Sequence, residues 1–261
     1  MWTLLLALTL GPGSVGESQV DRPEPGFAST LPGEAREPGT TPFSLHDLNY
    51  ALLGADDGRM QLSFKYQVFE ETPVYLAYTN IVLWDVFADS GPYRDIEFLP
   101  ELFYRFDRRI EGVEHLDLGW IHRSNGQDGL DSRSWDRLFA RADLDRSFAG
   151  RPARLSPRLQ LPIATGGENE DIADYHGFWE VDLWVHRLLD PEERGLSLHL
   201  RLVSGEDGVP FDRGSFTAGL AYDFGVRRFQ PKLYAEYFKG YGNSLLEYDQ
   251  SEELLRFGLL L

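Results

Sequence analysis

The sequence predicts an all-β fold, a 12-stranded antiparallel transmembrane β-barrel, and three observations carry that expectation. Apolar and polar residues alternate with period two over most of the chain, the signature of strands with two different faces. The alternating segments are even in number and mostly about ten residues long, close to the roughly 9–11 that a tilted strand needs to cross a bilayer. Aromatic residues make up 13% of the chain, with 17 Phe, 12 Tyr and 6 Trp, and such residues favour strands and membrane interfaces.

Taken in order, the chain begins with W-T-L-L-L-A-L-T-L-G and then the small residues Gly13, Ser14 and Gly16, so residues 1–16 read as an export signal that lacks a basic beginning. Residues 17–42 are rich in Pro, Gly, Glu, Ser and Thr, have little to bury, and are expected to form a disordered linker. A single barrel domain, 43–261, follows. Its strands are expected at 59–70, 74–87, 95–107, 112–122, 133–146, 151–162, 173–188, 194–204, 211–223, 227–240, 241–249 and 251–261. In the first, Met60, Leu62, Phe64, Tyr66 and Val68 oppose Gln61, Ser63, Lys65 and Gln67. The third sets Glu97, Glu101 and Arg105 on its second face, the sixth Arg154, Ser156, Arg158 and Gln160, and the eighth Ser197, His199 and Arg201.

A soluble up-and-down barrel or sandwich is the rival architecture, with the apolar face turned inward. Soluble strands mostly run about five or six residues, and these are longer. Lipid also leaves no open edge unpaired, which asks for a closed barrel with its charged face lining the interior. That interior is crowded with Glu, Arg, Lys and aromatics and does not suggest an open pore. Cysteine is absent, which excludes thiolate metal sites and cysteine nucleophiles. A formal charge of −17 argues against nucleic acid as a partner and makes cations natural ones. No run of 18 or more apolar residues could form a spanning helix, and a mean hydropathy of −0.34 is compatible with a barrel whose polar interior dilutes the average.

One stretch stands apart, Trp120–Phe139, W-I-H-R-S-N-G-Q-D-G-L-D-S-R-S-W-D-R-L-F. His122 and Ser124 share the parity of Leu116, Leu118 and Trp120, the lipid side. Asp136 shares the parity of Leu138, Ala140, Ala142 and Leu144 on the returning strand, so it too looks outward. A hydroxyl, a base and a group to orient the base are the set that nucleophilic hydrolysis needs. Such residues also fill ordinary polar hairpin loops, but three polar groups on a lipid-facing wall are costly unless they serve a purpose. Asn80, on the outward parity of Tyr78, Val82 and Trp84, is either a contact across a dimer interface or a residue at headgroup level.

At these residues the sequence resembles the bacterial outer-membrane phospholipase A family, whose motif has the form H-x-S-N-G, a short loop, then S-R-S-W-N. The resemblance extends to Y-T-N, to S-G-P-Y-R-D-I-E-F-L-P-E-L-F from Ser90, to G-F-W, and to L-Y-A-E-Y-F-K-G-Y-G-N-S-L-L-E-Y, covering roughly residues 42–261. It implies calcium-dependent hydrolysis of sn-1 or sn-2 acyl esters of phospholipids and lysophospholipids in the bacterial outer membrane, by a homodimer whose site faces lipid toward the outer leaflet. Carried over by position, Ser124 is the nucleophile, His122 the general base, Asp136 the orienting group and the Gly126 amide an oxyanion donor. The matching calcium positions are Gln127 through its backbone carbonyl, where arginine is usual, with Ser132, and Ser90 from the partner subunit; Glu168 in the acidic loop 166–171 matches a further position. That loop is either a second calcium site or a solvated acidic turn. Asp136 departs from the asparagine of the family motif. A barrel that has kept the fold but lost turnover, with a structural or transport role, is the alternative.

Overall fold

The computed structural model describes residues 42–106, 112–189, 195–208, 212–224 and 231–261. The expected export signal and all but Pro42 of the expected linker lie outside the described residues. Among the described residues, thirteen strands form one antiparallel sheet. They are β1 (Phe43–Leu45), β2 (Tyr50–Leu53), β3 (Gly58–Gln67), β4 (Val74–Trp84), β5 (Tyr93–Phe106), β6 (His115–Ser124), β7 (Ser134–Phe148), β8 (Arg151–Thr165), β9 (Trp179–Val185), β10 (Leu196–Val203), β11 (Ser215–Tyr222), β12 (Lys232–Gly240) and β13 (Glu252–Leu260). β2 to β13 pair in sequence, and β13 closes on β2 through Phe257↔Leu53 and Leu260↔Tyr50, so the ring has twelve strands. β1 lies along the same edge of β3 as β2, through Phe43↔Tyr66, so β1 and β2 are one wall strand broken at 46–49. The Asn49 side chain spans the break by accepting from the Ser63 amide (2.7 Å) and donating to the Ser63 carbonyl (3.0 Å), as a ladder residue would.

The count of twelve agrees with the sequence reading, but two members differ. Residues 241–249, expected as a strand, form turns in a connection between β12 and β13. The missing strand is β2, whose four residues carry too short an alternation to register. Likewise the expected strand 173–188 begins as one helical turn, α1 (Ala173–His176), before β9.

The two faces separate as a membrane wall requires. Leu159 and Leu161 are 64% and 60% exposed and Phe257 56%, whereas Glu97, His115, Asp143 and Arg256 are at 0% and Lys65 and Arg105 at 1%. A soluble barrel would reverse this order. The inward charges survive burial because they are matched: Arg105 makes a two-pronged bond to Asp117 (2.8 and 2.7 Å), Arg201 meets Glu180 (2.6 Å) and Arg141 meets Asp143 (3.2 Å). The lumen they line includes a cavity of about 130 Å³.

Strand alternation brings the connections 85–92, 125–133, 166–178 and 241–251 to one end of the barrel. The two-residue turn 149–150 lies at the other.

Candidate functional site

β6 and β7 carry the polar residues of the outer wall, and their register decides what meets. His122 is paired directly opposite Asp136, and Ser124 opposite Ser134. Directly opposed side chains on one face lie within contact range, and His122 Nδ1 is 3.1 Å from Asp136 Oδ1. Trp120, two residues before His122 on the same face, donates its Nε1–H to the same oxygen at 3.0 Å. Asp136 Oδ1 therefore accepts from two aromatic side chains. The His122 and Asp136 side chains are 29% and 27% exposed, open to the lipid side without being fully solvated. Ser124 follows on the same face beyond His122, half-buried beside Phe98 of β5.

The connection 125–133 is built around Asn125, 2% exposed. Its Oδ1 accepts from the amides of Gln127 (3.3 Å) and Arg133 (3.0 Å), and its Nδ2 donates to the Asp131 carbonyl (2.9 Å). Gly126 has φ 67°, and a Cβ there would lie 3.1 Å from the Phe98 ring, so the position asks for glycine twice over. Among the described residues no hydrogen bond uses the Gln127 carbonyl. The Ser132 carbonyl accepts from Arg133 (3.0 Å). Among the described residues no cluster of three or more His, Asp or Glu is arranged to hold a metal; what this connection offers is oxygen atoms of the backbone and of Ser132. That donor set suits a hard cation such as calcium.

Ser90 sits exposed in the 85–92 turn with φ 69°, a left-handed conformation uncommon for a residue with a side chain, next to Gly91 at φ 50°. It is at the same barrel end as Gln127 and Ser132, one strand away from β6. Asn80 is on the outer wall as its parity implies, and its Nδ2 donates to the Glu97 carbonyl of β5 at 2.8 Å. Glu168 is exposed in the 166–178 connection.

Several contributors carried no sequence signal. Asn169, 1% exposed, accepts from the Ser134 amide (3.1 Å) and donates to its carbonyl (2.9 Å), which extends the ladder on β7 past the end of β8. This fixes the acidic connection against the strand that bears Asp136. Behind the wall, Trp135 is wholly buried with Ile172, Leu245 and Tyr248. His176 packs against Trp135 at 5.4 Å, and burial, then the neighbouring Arg123 charge, holds its imidazole well below its ordinary pKa. Tyr248 is pushed upward by burial and by its bond to the Asp171 carboxylate.

A family model described as phospholipase A1 matches residues 31–261. A putative phospholipase A1 of Neisseria meningitidis serogroup B is 27% identical over 215 residues, 77% of this chain and 53% of that protein, so the chain spans about half the length of that relative. Phospholipase A1 of Escherichia coli K12 is 24% identical over 217 residues, 79% of this chain and 70% of that protein. The outer membrane phospholipase of Salmonella typhi, solved as a dimer with bound calcium, superposes with a TM-score of 0.71 at 22% identity, over 87% of this chain and 94% of the other. The Escherichia coli outer membrane phospholipase A gives 0.70 at 22% identity, over 90% and 96%. These structural likenesses concern the fold, and the closed twelve-stranded wall fits a bacterial outer membrane.

Proposed function

The chain belongs to the phospholipase A1 family, and from that premise we propose that it is a calcium-dependent outer-membrane phospholipase. Its substrates would be the sn-1 and sn-2 acyl esters of phospholipids and lysophospholipids. The observation that carries the reading is the cross-strand contact of His122 with Asp136 on the outer wall, with Ser124 next on the same face. A partly exposed His–Asp pair facing lipid is costly to keep in a barrel without turnover.

With Nδ1–H of His122 donated to Asp136, the Nε2 lone pair is the free base. It takes the Ser124 proton as Oγ attacks the ester carbonyl, then returns it to the leaving lysolipid; water repeats the cycle on the acyl-enzyme. Asp136 holds the imidazole in this tautomer and stabilises its protonated form. The Gly126 amide would donate to the developing oxyanion. Calcium would be held by the Gln127 carbonyl and Ser132 of one subunit and Ser90 of its partner, and when bound it adds positive charge at the oxyanion. Two positions from one chain leave a cation that takes six to eight oxygens undersupplied, which favours a homodimer as the active form. Asn80 on the same wall is proposed at that interface, and Glu168 at a secondary calcium position. The site end is proposed to face outward, as in outer-membrane barrels, whose longer connections lie outside: 166–178 and 241–251 at that end are longer than any connection that the strand bounds define at the opposite end.

Fatty-acid release from mixed detergent and phospholipid micelles tests this, with calcium or chelator, for wild type and Ser124→Ala. Release that requires both calcium and Ser124 is expected. Equal release by wild type and Ser124→Ala would overturn the assignment.

A further inference from the structure

The outer wall of β6 and β7 holds the proposed triad, and period two dictates that the residues between its members point inward. Arg123 lies between His122 and Ser124, and Trp135 just before Asp136; the two are cross-strand partners. What fixes this inner pair comes from the far side of the ring. Glu97 on β5, at 0% exposure, receives Arg123 Nε at 2.7 Å on one oxygen and the Leu245 amide at 2.9 Å on the other. Asp95 on the same strand accepts from Ser244 Oγ and from the Leu246 amide, both at 2.9 Å. Leu245, at 0% exposure, packs with Trp135, Ile172 and Tyr248. The connection 241–251 thus reaches across the barrel mouth from β12 and β13 and seats one leucine behind the catalytic wall.

The connection has little room to sit elsewhere. Gly242 has φ 73°, and a Cβ there would come within 2.7 Å of the His176 ring. Tyr248 donates its hydroxyl to Asp171 of the 166–178 connection, and the Arg133 guanidinium lies 5.8 Å over the Tyr248 ring. Arg133 also donates its amide to Asn125, the organiser of the loop that carries Gly126 and Gln127. One inserted segment therefore reaches the inner side of β6 through Glu97 of β5, packs on the inner side of β7 at Trp135 and, through Arg133, meets the proposed calcium loop.

We propose that the connection 241–251 is a positioning brace for the proposed active site, with Glu97 and Leu245 as positioning residues that set the spacing of Ser124, His122 and Asp136 through Arg123 and Trp135. The inference rests on the function proposed above. Lipid offers no polar partners to hold a catalytic trio from outside, so its geometry has to be set from within, and a misplacement of about 1 Å costs about a hundredfold in rate.

The test uses the full chain in mixed micelles with calcium and compares Glu97→Gln, Leu245→Ala and Leu245→Met with a control, Glu236→Gln. The control weakens the buried pair of Arg256 on β13 with Glu236 on β12 (3.3 Å), across the ring from β6, and leaves in place the bond from Arg256 to Asn243 of the connection (3.1 Å). Two readouts are taken per folded molecule, with folding scored by heat-dependent gel mobility: kcat and KM for ester release, and the rate at which a sulfonyl fluoride labels Ser124. Glu97→Gln and Leu245→Ala are expected to lower kcat by about 10- to 100-fold with KM nearly unchanged, and to slow labelling by the same factor. Leu245→Met, which refills the volume, is expected to recover to within about threefold, and Glu236→Gln to label at the wild-type rate. Leu245→Ala leaves no charge unpaired, so it keeps the test open if Glu97→Gln does not fold. Wild-type labelling by both Glu97→Gln and Leu245→Ala, or equal slowing by Glu236→Gln, overturns the brace and leaves the proposed function standing. A wild type that neither hydrolyses ester nor labels at Ser124 overturns the function and the brace with it.

Discussion

Replacing Asp136 by Asn restores the residue of the family motif and separates charge from geometry at the proposed site. The charge contribution is small: the His122 and Asp136 side chains are 29% and 27% exposed, and an ion pair that open to its surroundings contributes at most about 1 kcal/mol, roughly fivefold in rate. The geometric term is larger, because an amide that presents its NH2 to the histidine forces the wrong tautomer, and in a serine protease triad that substitution lowers kcat by about 10⁴. Here Trp120 guards against the flip. Its Nε1–H points at the same oxygen, 3.0 Å away, so an inverted amide would set donor against donor and leave a polar group unsatisfied, a penalty of about 1–3 kcal/mol. Asp136→Asn alone is therefore expected to retain kcat within about tenfold of wild type. Trp120→Phe/Asp136→Asn is expected to lose more than the product of the single changes, because the guard is gone when it is needed. Ester release in mixed micelles at saturating calcium, normalised to folded protein, reads both. A loss of about a hundredfold or more in Asp136→Asn alone, or strict additivity in the double variant, would refute the argument.

Three further outcomes are expected. Asn125→Ala removes the acceptor of two amides and the donor to Asp131, so the calcium concentration for half-maximal activity should rise by about tenfold while kcat at saturating calcium largely recovers; titration of activity with calcium measures it. Arg105→Met strands the buried Asp117 carboxylate and should destabilise the barrel by about 3–5 kcal/mol, whereas Arg105→Met/Asp117→Leu should recover most of that, as read by urea titration of folding into vesicles. His176 is held neutral by burial and the Arg123 charge; because its folded pKa is depressed, the unfolded chain binds more protons below pH 6.5, so the stability it contributes is present above that pH and lost as pH falls below it. Limited proteolysis of the 166–178 connection should accelerate in that window, and His176→Gln should flatten the profile.

The sequence was most legible where geometry is periodic. Alternation along β3, β5 and β6 placed Lys65, Glu97, Glu101 and Arg105 inside and Leu62, Leu116 and Leu118 outside, as the burial shows, because a strand offers each residue one of two sides. Parity also carried His122 and Asp136 to one face, where the register then set them opposite each other. It failed where the chain is short or folds back. β2 has four residues, and 241–249 has the length of a strand while its backbone turns, because Leu245 is drawn into a cluster with Trp135 and Ile172 that no local pattern announces. The bracing side chains were silent for the same reason: Asn49 and Asn169 complete ladders 14 and 35 residues away, and a lone asparagine looks alike in a turn and in such a patch.

A flat wall is a poor place for catalysis, since side chains standing on it can meet only their immediate neighbours. On the proposed assignment, β6 and β7 supply a nucleophile, a base and an orienting acid within that limit, but a strand face alone offers little with which to surround a developing oxyanion. The missing donors must come from beyond the strand ends, and Gly126 and Gln127 stand there, on a loop pinned through Asn125 and Arg133 to the inner brace. One subunit then ends in an unsaturated set of oxygens at its rim, with an exposed, left-handed Ser90 presented one strand away. On this reading the same wall that makes the monomer a stable membrane barrel makes it an incomplete enzyme. Activity should then depend on how often two copies meet. Dilution of the protein into excess detergent at fixed calcium should lower specific activity, while Ser90→Ala mixed with Ser124→Ala should recover part of the activity each lacks alone, because a mixed pair holds one intact Ser124 and, opposite it, one intact Ser90. Specific activity that is independent of dilution, with no recovery on mixing, would mean that the site is complete within one chain.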